Sequence, residues 1–435
     1  KPSVSIDNTG TLEIDNIKLI STTSSPTIKN SNILNITNTL VEGGTGYGLE
    51  NVGNGTIDID SNTVLKSGNG YGLLNSGNKL VIDDGTIIGI YNTGTMTLDK
   101  NVNVTKKADV YNSVYYYGIY NSGTLNMNNG TVSANEGDNL IYKEGTFNLN
   151  DGSITALNYA VNNRNVFNAN GGIITSTNTT IYNYGTFNAK GAEISSANKN
   201  TVSNVSTFNV YDGEIVTGNG VAISGRTVNI YGGEVIGTTH GVNADYLTMS
   251  GGIVSGNVGA DIQSSYNGGS ANISGGEIIG KTTGLITDNV TMSGGTITGE
   301  TENGINFEIT GNIKGGTVNG AIYGVYTGGT TTIGENEGTI SITNPVLIGG
   351  SYGLYTTGST TNFYDGILKG QSSTGIMSNT TVTDVETGYA VATGNDETYN
   401  TAYLGLGNYK VGDKYFVTLK DAVDSITTTE QTTIE

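Results

Sequence analysis

The chain has 435 residues, 67 of them glycine, only 3 proline, and no cysteine or tryptophan. Glycine without a three-residue period excludes collagen, and the absence of cysteine excludes a disulfide scaffold. The net charge of −19 disfavours nucleic acid and anionic lipid as partners, since phosphate binding needs clustered Lys and Arg. We expect no membrane insertion, because no run of eighteen apolar residues occurs.

A repeated phrase runs along the chain at spacings that cluster near twenty residues. Apolar residues alternate within each copy, as in Phe147-Asn148-Leu149, and a glycine corner such as Gly171-Gly172 follows. Copies occur at residues 57–64, 80–87, 125–132, 147–154, 167–174, 187–194, 208–215, 228–235, 247–254, 271–278, 290–297, 311–318 and 362–368. The pattern predicts an all-β chain, a right-handed parallel β-helix (β-solenoid) of about 17 coils over residues 1–395.

An asparagine recurs one strand upstream of each phrase in the first half of the chain. The column consists of Asn51, Asn75, Asn92, Asn121, Asn163, Asn183 and Asn204. Stacked carboxamides can hydrogen-bond from coil to coil, so we interpret the column as a structural ladder. Carboxamides are poor acids, bases and nucleophiles, which argues against a catalytic role.

Tyrosine is the outward feature that most suggests binding. Relative to their apolar neighbours, six tyrosines should point away from the core: Tyr91, Tyr120, Tyr142, Tyr182, Tyr326 and Tyr355. Exposed aromatic rings can stack on sugars or anchor a protein interface, whereas the alternative is that tyrosine is present for its high β propensity. A second set has inward parity and is predicted to pack in the core or in turns: Tyr47, Tyr71, Tyr117, Tyr159, Tyr352 and Tyr389.

Charged residues offer little that resembles a catalytic site. The tight acidic pairs are Asp58 with Asp60, Asp83 with Asp84, and Asp212 with Glu214, and we interpret them as solvated turn residues. We expect no catalytic residue, no cofactor and no metal site, with one open alternative. Calcium could relieve the repulsion within a column formed by Glu193, Glu214 and Glu234.

Histidine and arginine limit the chemistry further. His240 is the only histidine, which excludes multi-histidine metal sites, and we expect it to cap a turn. The only arginines, Arg164 and Arg226, are predicted at outward turns of separate coils.

The C-terminal region, residues 396–435, is predicted to be a cap or the start of a further module. Thr418 and Asp421 form a capping-box pattern before Leu419, Ala422, Val423 and Ile426 at helical spacing. This pattern predicts one short helix over residues 419–427.

Two resemblances follow from these motifs. Coil length, glycine corners and the asparagine column resemble the pectin-lyase-like parallel β-helix superfamily over residues 1–395. Residues 409–423, YKVGDKYFVTLKDAV, resemble the opening of a module in repetitive cell-surface proteins of Gram-positive bacteria. The second resemblance implies an extracellular, surface-located adhesin segment whose signal and wall anchor lie outside this sequence.

The leading hypothesis is therefore a non-enzymatic extracellular surface protein, an adhesin or stalk segment that presents contacts to glycan or protein partners as a monomer. The alternative is a carbohydrate-active enzyme, a polysaccharide lyase or glycoside hydrolase, with its site in a lateral groove. An ice-binding face is disfavoured because the chain has only fragments of a Thr-x-Thr array, such as Thr95-Met96-Thr97. A phage tail spike would differ in forming trimers.

Overall fold

The computed structural model describes residues 5–106, 117–134, 139–264, 268–336, 340–372, 381–427 and 433–435. It is a nearly all-β parallel β-solenoid of about 17 turns with one short C-terminal helix, which confirms the predicted fold class. The chain divides into a first unit, Lys1–Val228, and a second unit, Asn229–Glu435. No helix in the described ranges is both long and apolar enough to cross a membrane.

Three short strands build each coil of the first unit up to residue 176, and these strands pair in parallel with their counterparts in neighbouring coils. The first strands are Ile6–Asn8, Ile28–Asn30, Leu49–Asn51, Leu73–Asn75, Ile90–Asn92, Ile119–Asn121, Ile141–Lys143, Val161–Asn163 and Ile181–Asn183. The second strands are Thr11–Asp15, Ile33–Thr37, Thr56–Ile59, Leu80–Ile82, Thr95–Leu98, Thr124–Met127, Thr146–Leu149 and Val166–Ala169. The third strands are Lys18–Ile20, Leu40–Gly43, Val64–Ser67, Thr86–Ile88, Asn103–Thr105, Thr131–Ser133, Ser153–Ala156 and Ile173–Ser176. Longer strands follow at Thr186–Ser196, Val202–Thr217 and Val221–Ile230.

Several strands of the second unit are long because neighbouring segments merge around the corners, while the others are short. They are Glu234–Ile236, His240–Gly256, Val258–Ile262, Ser270–Gly280, Leu285–Met292, Thr296–Gly299, Ile305–Ile313, Thr317–Gly320, Tyr323–Thr327, Thr330–Ile333, Val346–Gly349, Tyr352–Thr356, Thr360–Phe363, Ile367–Gly370 and Thr381–Val385. The parallel array then ends, since Asn400–Leu406 pairs antiparallel with both Ile367–Gly370 and Tyr389–Asn395. A small hairpin of Tyr409–Val411 and Lys414–Phe416 precedes the helix.

The core of the first unit is built from the inward residues of the alternating strands. Phe147, Phe167, Phe187 and Phe208 lie in register and are fully buried, with successive ring centroids 4.7, 4.7 and 4.8 Å apart. Gly172 supplies the positive φ of +77° that its corner needs, and a Cβ there would meet the backbone of the previous coil. The stacked coils therefore depend on both a continuous apolar column and close backbone approach.

The predicted asparagine ladder is present. Asn75 Nδ2 donates to Asn92 Oδ1 at 2.8 Å, and Asn92 Nδ2 donates to Asn121 Oδ1 at 2.7 Å. The ladder also extends upstream through Asn30 and Asn8. These amides are buried and satisfied by one another and by backbone carbonyls, as buried polar groups must be.

The C-terminal helix begins as predicted and ends earlier. It spans Leu419–Asp424, and the N-cap Thr418 Oγ1 accepts from the Asp421 backbone N–H at 3.2 Å while donating to its carboxylate. Ser425 closes the helix through a hydrogen bond from its N–H to the Asp421 carbonyl, so residues 425–427 lie beyond it.

Candidate binding surface

The tyrosine column of the first unit lies on its outer surface. Three strands carry it: Ile90–Asn92, Ile119–Asn121 and Ile141–Lys143. The first and last residues of each strand are buried, whereas the central tyrosine is half-buried. Register places Tyr91, Tyr120 and Tyr142 directly above one another. Their rings stack, with centroids 4.7 Å apart for Tyr91 and Tyr120 and 5.6 Å apart for Tyr120 and Tyr142. Tyr182 occupies the same column one coil beyond an interruption at Asn162.

A second row of tyrosines flanks this column at the preceding corner. Of the two predicted outcomes, packing in the core or in turns, the turn is the one observed. Tyr47, Tyr71, Tyr117 and Tyr159 are half-buried and contact the column from its side. The Tyr71 and Tyr91 rings meet edge to face at 5.5 Å, and Tyr117 lies 4.9 Å from Tyr142. Strand alternation does not continue through the corner, so these side chains turn outward. Tyr352 and Tyr389 in the second unit are also half-buried.

The ring faces inside the column cover one another. Stacking at small interplanar angles, 9° for Tyr91 with Tyr120, leaves ring edges and hydroxyl groups towards solvent. Face-on stacking of a sugar is therefore blocked between Tyr91 and Tyr120 and between Tyr120 and Tyr142.

Glu144 fixes two of the hydroxyls. Its carboxylate accepts from Tyr120 Oη at 2.9 Å and from Tyr142 Oη at 3.3 Å. Desolvation, with help from the Glu144 hydrogen bond, raises the pKa of Tyr120 to about 12. Desolvation also raises the pKa of Tyr142, while the nearby charge of Arg164 lowers it. The phenols therefore remain protonated hydrogen-bond donors at neutral pH.

Arg164 adds a cation to the same surface. Its guanidinium carbon lies 4.6 Å from the Tyr184 ring centroid and 5.4 Å from that of Tyr142. Tyr184 in turn meets Tyr182 edge to face at 4.8 Å. The sequence analysis predicted Arg164 at an outward turn but missed Glu144 and Tyr184. All three residues directly follow a residue at a ladder position, and this shared position could have indicated that they lie together.

The second unit carries its own tyrosine cluster. Tyr326 and Tyr355 are register partners whose rings stack at 5.3 Å, and Tyr323 packs on Tyr355 at 4.5 Å. Tyr323 also aligns with Tyr352, so four rings form one cluster. The sequence analysis missed Tyr323, although the Tyr-Gly-x-Tyr pattern that residues 323–326 share with residues 352–355 indicates that the two segments align.

One carboxylate of each acidic pair has a defined partner. Asp60 Oδ1 accepts from the Asn38 N–H and from Thr63 Oγ1, and the Thr63 hydrogen bond lowers the pKa of this carboxyl. Asp83 forms an ion pair with Lys100, and Asp212 accepts from the Gly213 N–H.

The glutamates of the possible calcium column are exposed. Glu193 and Glu214 are register partners in the first unit, while Glu234 lies in the second, where its register partner on the next coil is Ile253. Across the described ranges, no three His, Cys, Asp or Glu side chains lie together where they could hold a metal. Calcium binding at this column stays a prediction.

His240 faces an acid instead of capping a turn. Its Nε2 lies 3.7 Å from Asp261 Oδ2, and burial raises the pKa of that carboxyl against the opposing effect of His240. His240 Nδ1 and Asp261 Oδ1 are buried without a hydrogen-bond partner in the described part of the chain.

Comparison of the chain with protein-family models, with curated proteins and with solved structures finds no match. The parallel β-solenoid is therefore established by the structure itself, and the two family resemblances stay predictions.

Proposed function

We propose that the chain is a non-enzymatic extracellular surface protein, an adhesin or stalk segment that contacts glycan or protein partners through its tyrosine surfaces. The observation that carries the proposal is the stacked column Tyr91, Tyr120 and Tyr142, held in register on adjacent coils and rimmed by hydroxyl groups. Tyrosine presents apolar area with a polar tip and loses little conformational entropy when already stacked. The resemblance of residues 409–423 to Gram-positive surface modules favours the same location and role.

Binding can be tested with a glycan array and a cell-adhesion assay on the whole chain. We expect the double variants Tyr120→Ser/Tyr142→Ser and Tyr326→Ser/Tyr355→Ser to lose binding through the first and second units respectively. Tyr211→Ser and Tyr231→Ser are matched controls, because both tyrosines are exposed and lie outside the columns. Binding that survives both double variants would contradict the proposal.

A carbohydrate-active enzyme is the second candidate, and one observation favours it. The half-buried pair His240 and Asp261, with its raised carboxyl pKa, has the character of a general acid site. Release of reducing ends from a panel of pectin, alginate and host glycans, lost in Asp261→Asn, would replace the binding proposal with this one.

A further inference from the structure

The tyrosine column of the first unit contains a gap one ring wide. Register places Asn162 between Tyr142 and Tyr182, where every other position from Tyr91 to Tyr182 carries a ring. Coils lie about 4.8 Å apart, so the two flanking tyrosines are separated by about 10 Å. That separation is enough for one further ring, and in this structure the Arg164 guanidinium rests on the Tyr142 side of it.

The floor of the gap is polar and incompletely paired. Asn162 is 7% exposed, and its Nδ2 donates to Asn139 Oδ1 at 3.1 Å. Its Oδ1 is buried and accepts no hydrogen bond from the described residues. An unpaired buried amide oxygen is unfavourable, because the loss of its hydration is not compensated. A ligand hydroxyl that donates to this oxygen would recover that cost.

Arg164, on the same coil, lies at the mouth of the gap. Its exposed guanidinium rests on Tyr142 and Tyr184, and no hydrogen bond or ion pair to it is found among the described residues. Glu144, the neighbouring carboxylate on the previous coil, is engaged with Tyr120 and Tyr142. The guanidinium therefore keeps its planar set of donors for an external acceptor, and a carboxylate matches them best.

Building on the proposed function, we propose that this coil is a subsite for one carboxylate-bearing pyranose ring of a glycan. The ring takes the place of the Arg164 guanidinium beside Tyr142 and lies between Tyr142 and Tyr182. Its carboxylate pairs with the displaced guanidinium, and a hydroxyl donates to Asn162 Oδ1. A pyranose supplies both an apolar face for tyrosine and hydroxyl donors for the amide, which an aliphatic peptide carboxylate does not.

The test is calorimetric titration of the whole chain with two sources of a ring carboxylate, 3′-sialyllactose and a hyaluronan tetrasaccharide, against neutral lactose. We expect at least one acidic probe to bind, and lactose to bind at least about tenfold more weakly. Arg164→Gln should weaken the acidic probe about tenfold or more, and Asn162→Tyr, which fills the gap, should abolish its binding. Arg226→Gln is the matched control, because Arg226 is also exposed in the first unit and lies outside the tyrosine column.

Asn162→Ser keeps the gap open but removes the amide, so it should weaken binding only partly. Comparing it with Asn162→Tyr distinguishes a filled subsite from a misfolded variant. Failure of both acidic probes, equal binding of lactose, or an equal effect of Arg226→Gln would overturn the subsite. The proposed function would survive that result if array or cell binding were still lost in Tyr120→Ser/Tyr142→Ser or Tyr326→Ser/Tyr355→Ser.

Discussion

Both units carry outward tyrosines, but the buried residue that follows the tyrosine in the strand differs between them. In the first unit the inward residue after Tyr91 and Tyr120 is an amide of the buried ladder, Asn92 and Asn121 respectively. In the second unit the corresponding inward positions are Thr327 and Thr356, aligned with Phe307. Thr327 Oγ1 accepts from the Gly329 N–H within its own turn, so its hydrogen bond is local to one coil.

This difference shows that the outward tyrosines do not require a particular inner column. Register and alternation suffice to stack Tyr326 on Tyr355 as they stack Tyr91 on Tyr120. The surfaces differ instead in their charges, since Glu144 and Arg164 accompany the first column. We therefore expect the inner columns to govern stability and the charged side chains to govern recognition.

The largest expected effect concerns Lys143, which occupies an asparagine position of the ladder. Lys143 is fully buried, and its Nζ donates to Asn163 Oδ1 at 2.7 Å. Desolvation lowers its pKa from 10.5 to about 7. Between pH 7 and 10.5 the unfolded chain thus binds one more proton than the folded chain, so the free energy of unfolding rises with pH across that window.

Lys143→Asn should complete the ladder and remove this dependence. We expect the free energy of unfolding near pH 7 to increase by about 3–5 kcal/mol, with the gain shrinking towards pH 10.5. Urea unfolding at pH 6, 8 and 10 measures it. A gain that is the same at all three values would mean that Lys143 is not desolvated in the folded state.

The next effect compares the two inner columns directly. Asn92→Ala removes a side chain that accepts from Asn75 and donates to Asn121 and to the Gly94 and Thr124 carbonyls. Leaving these groups unpaired should lower the free energy of unfolding by about 2–4 kcal/mol. Thr327→Val keeps the shape and loses one local hydrogen bond, so about 1 kcal/mol is expected. Hydrogen exchange would locate each loss in its own unit, and equal losses would contradict the comparison.

Much of this fold could be predicted from the sequence, because period-two alternation, glycine corners and repeated asparagines act locally within one coil. The tyrosine direction at Tyr91 and Tyr120 followed from the same alternation. For the corner tyrosines Tyr71 and Tyr117 the sequence left core and turn packing open, because alternation stops at the bend. The sequence analysis missed Lys143, which replaces an asparagine of the ladder, and Asn162, which replaces a tyrosine of the outward column. The effect of each replacement depends on side chains in the neighbouring coils, about twenty residues away in the chain.

The smallest effect concerns the hydroxyl rim. Tyr120 donates to Glu144 at 2.9 Å, and desolvation together with this bond raises its pKa to about 12. Absorbance titration of the phenolate should therefore show Tyr120 ionising near pH 12 in the folded protein. Glu144→Gln should lower that midpoint without restoring the value of a free tyrosine, because burial, the larger cause, remains. Loss of the transition in Tyr120→Phe would assign it to the Tyr120 phenol. A midpoint unchanged by Glu144→Gln would show that desolvation alone raises the pKa of Tyr120. In that case the carboxylate would not restrain the Tyr120 hydroxyl, and the rim would be free to reorient towards a ligand.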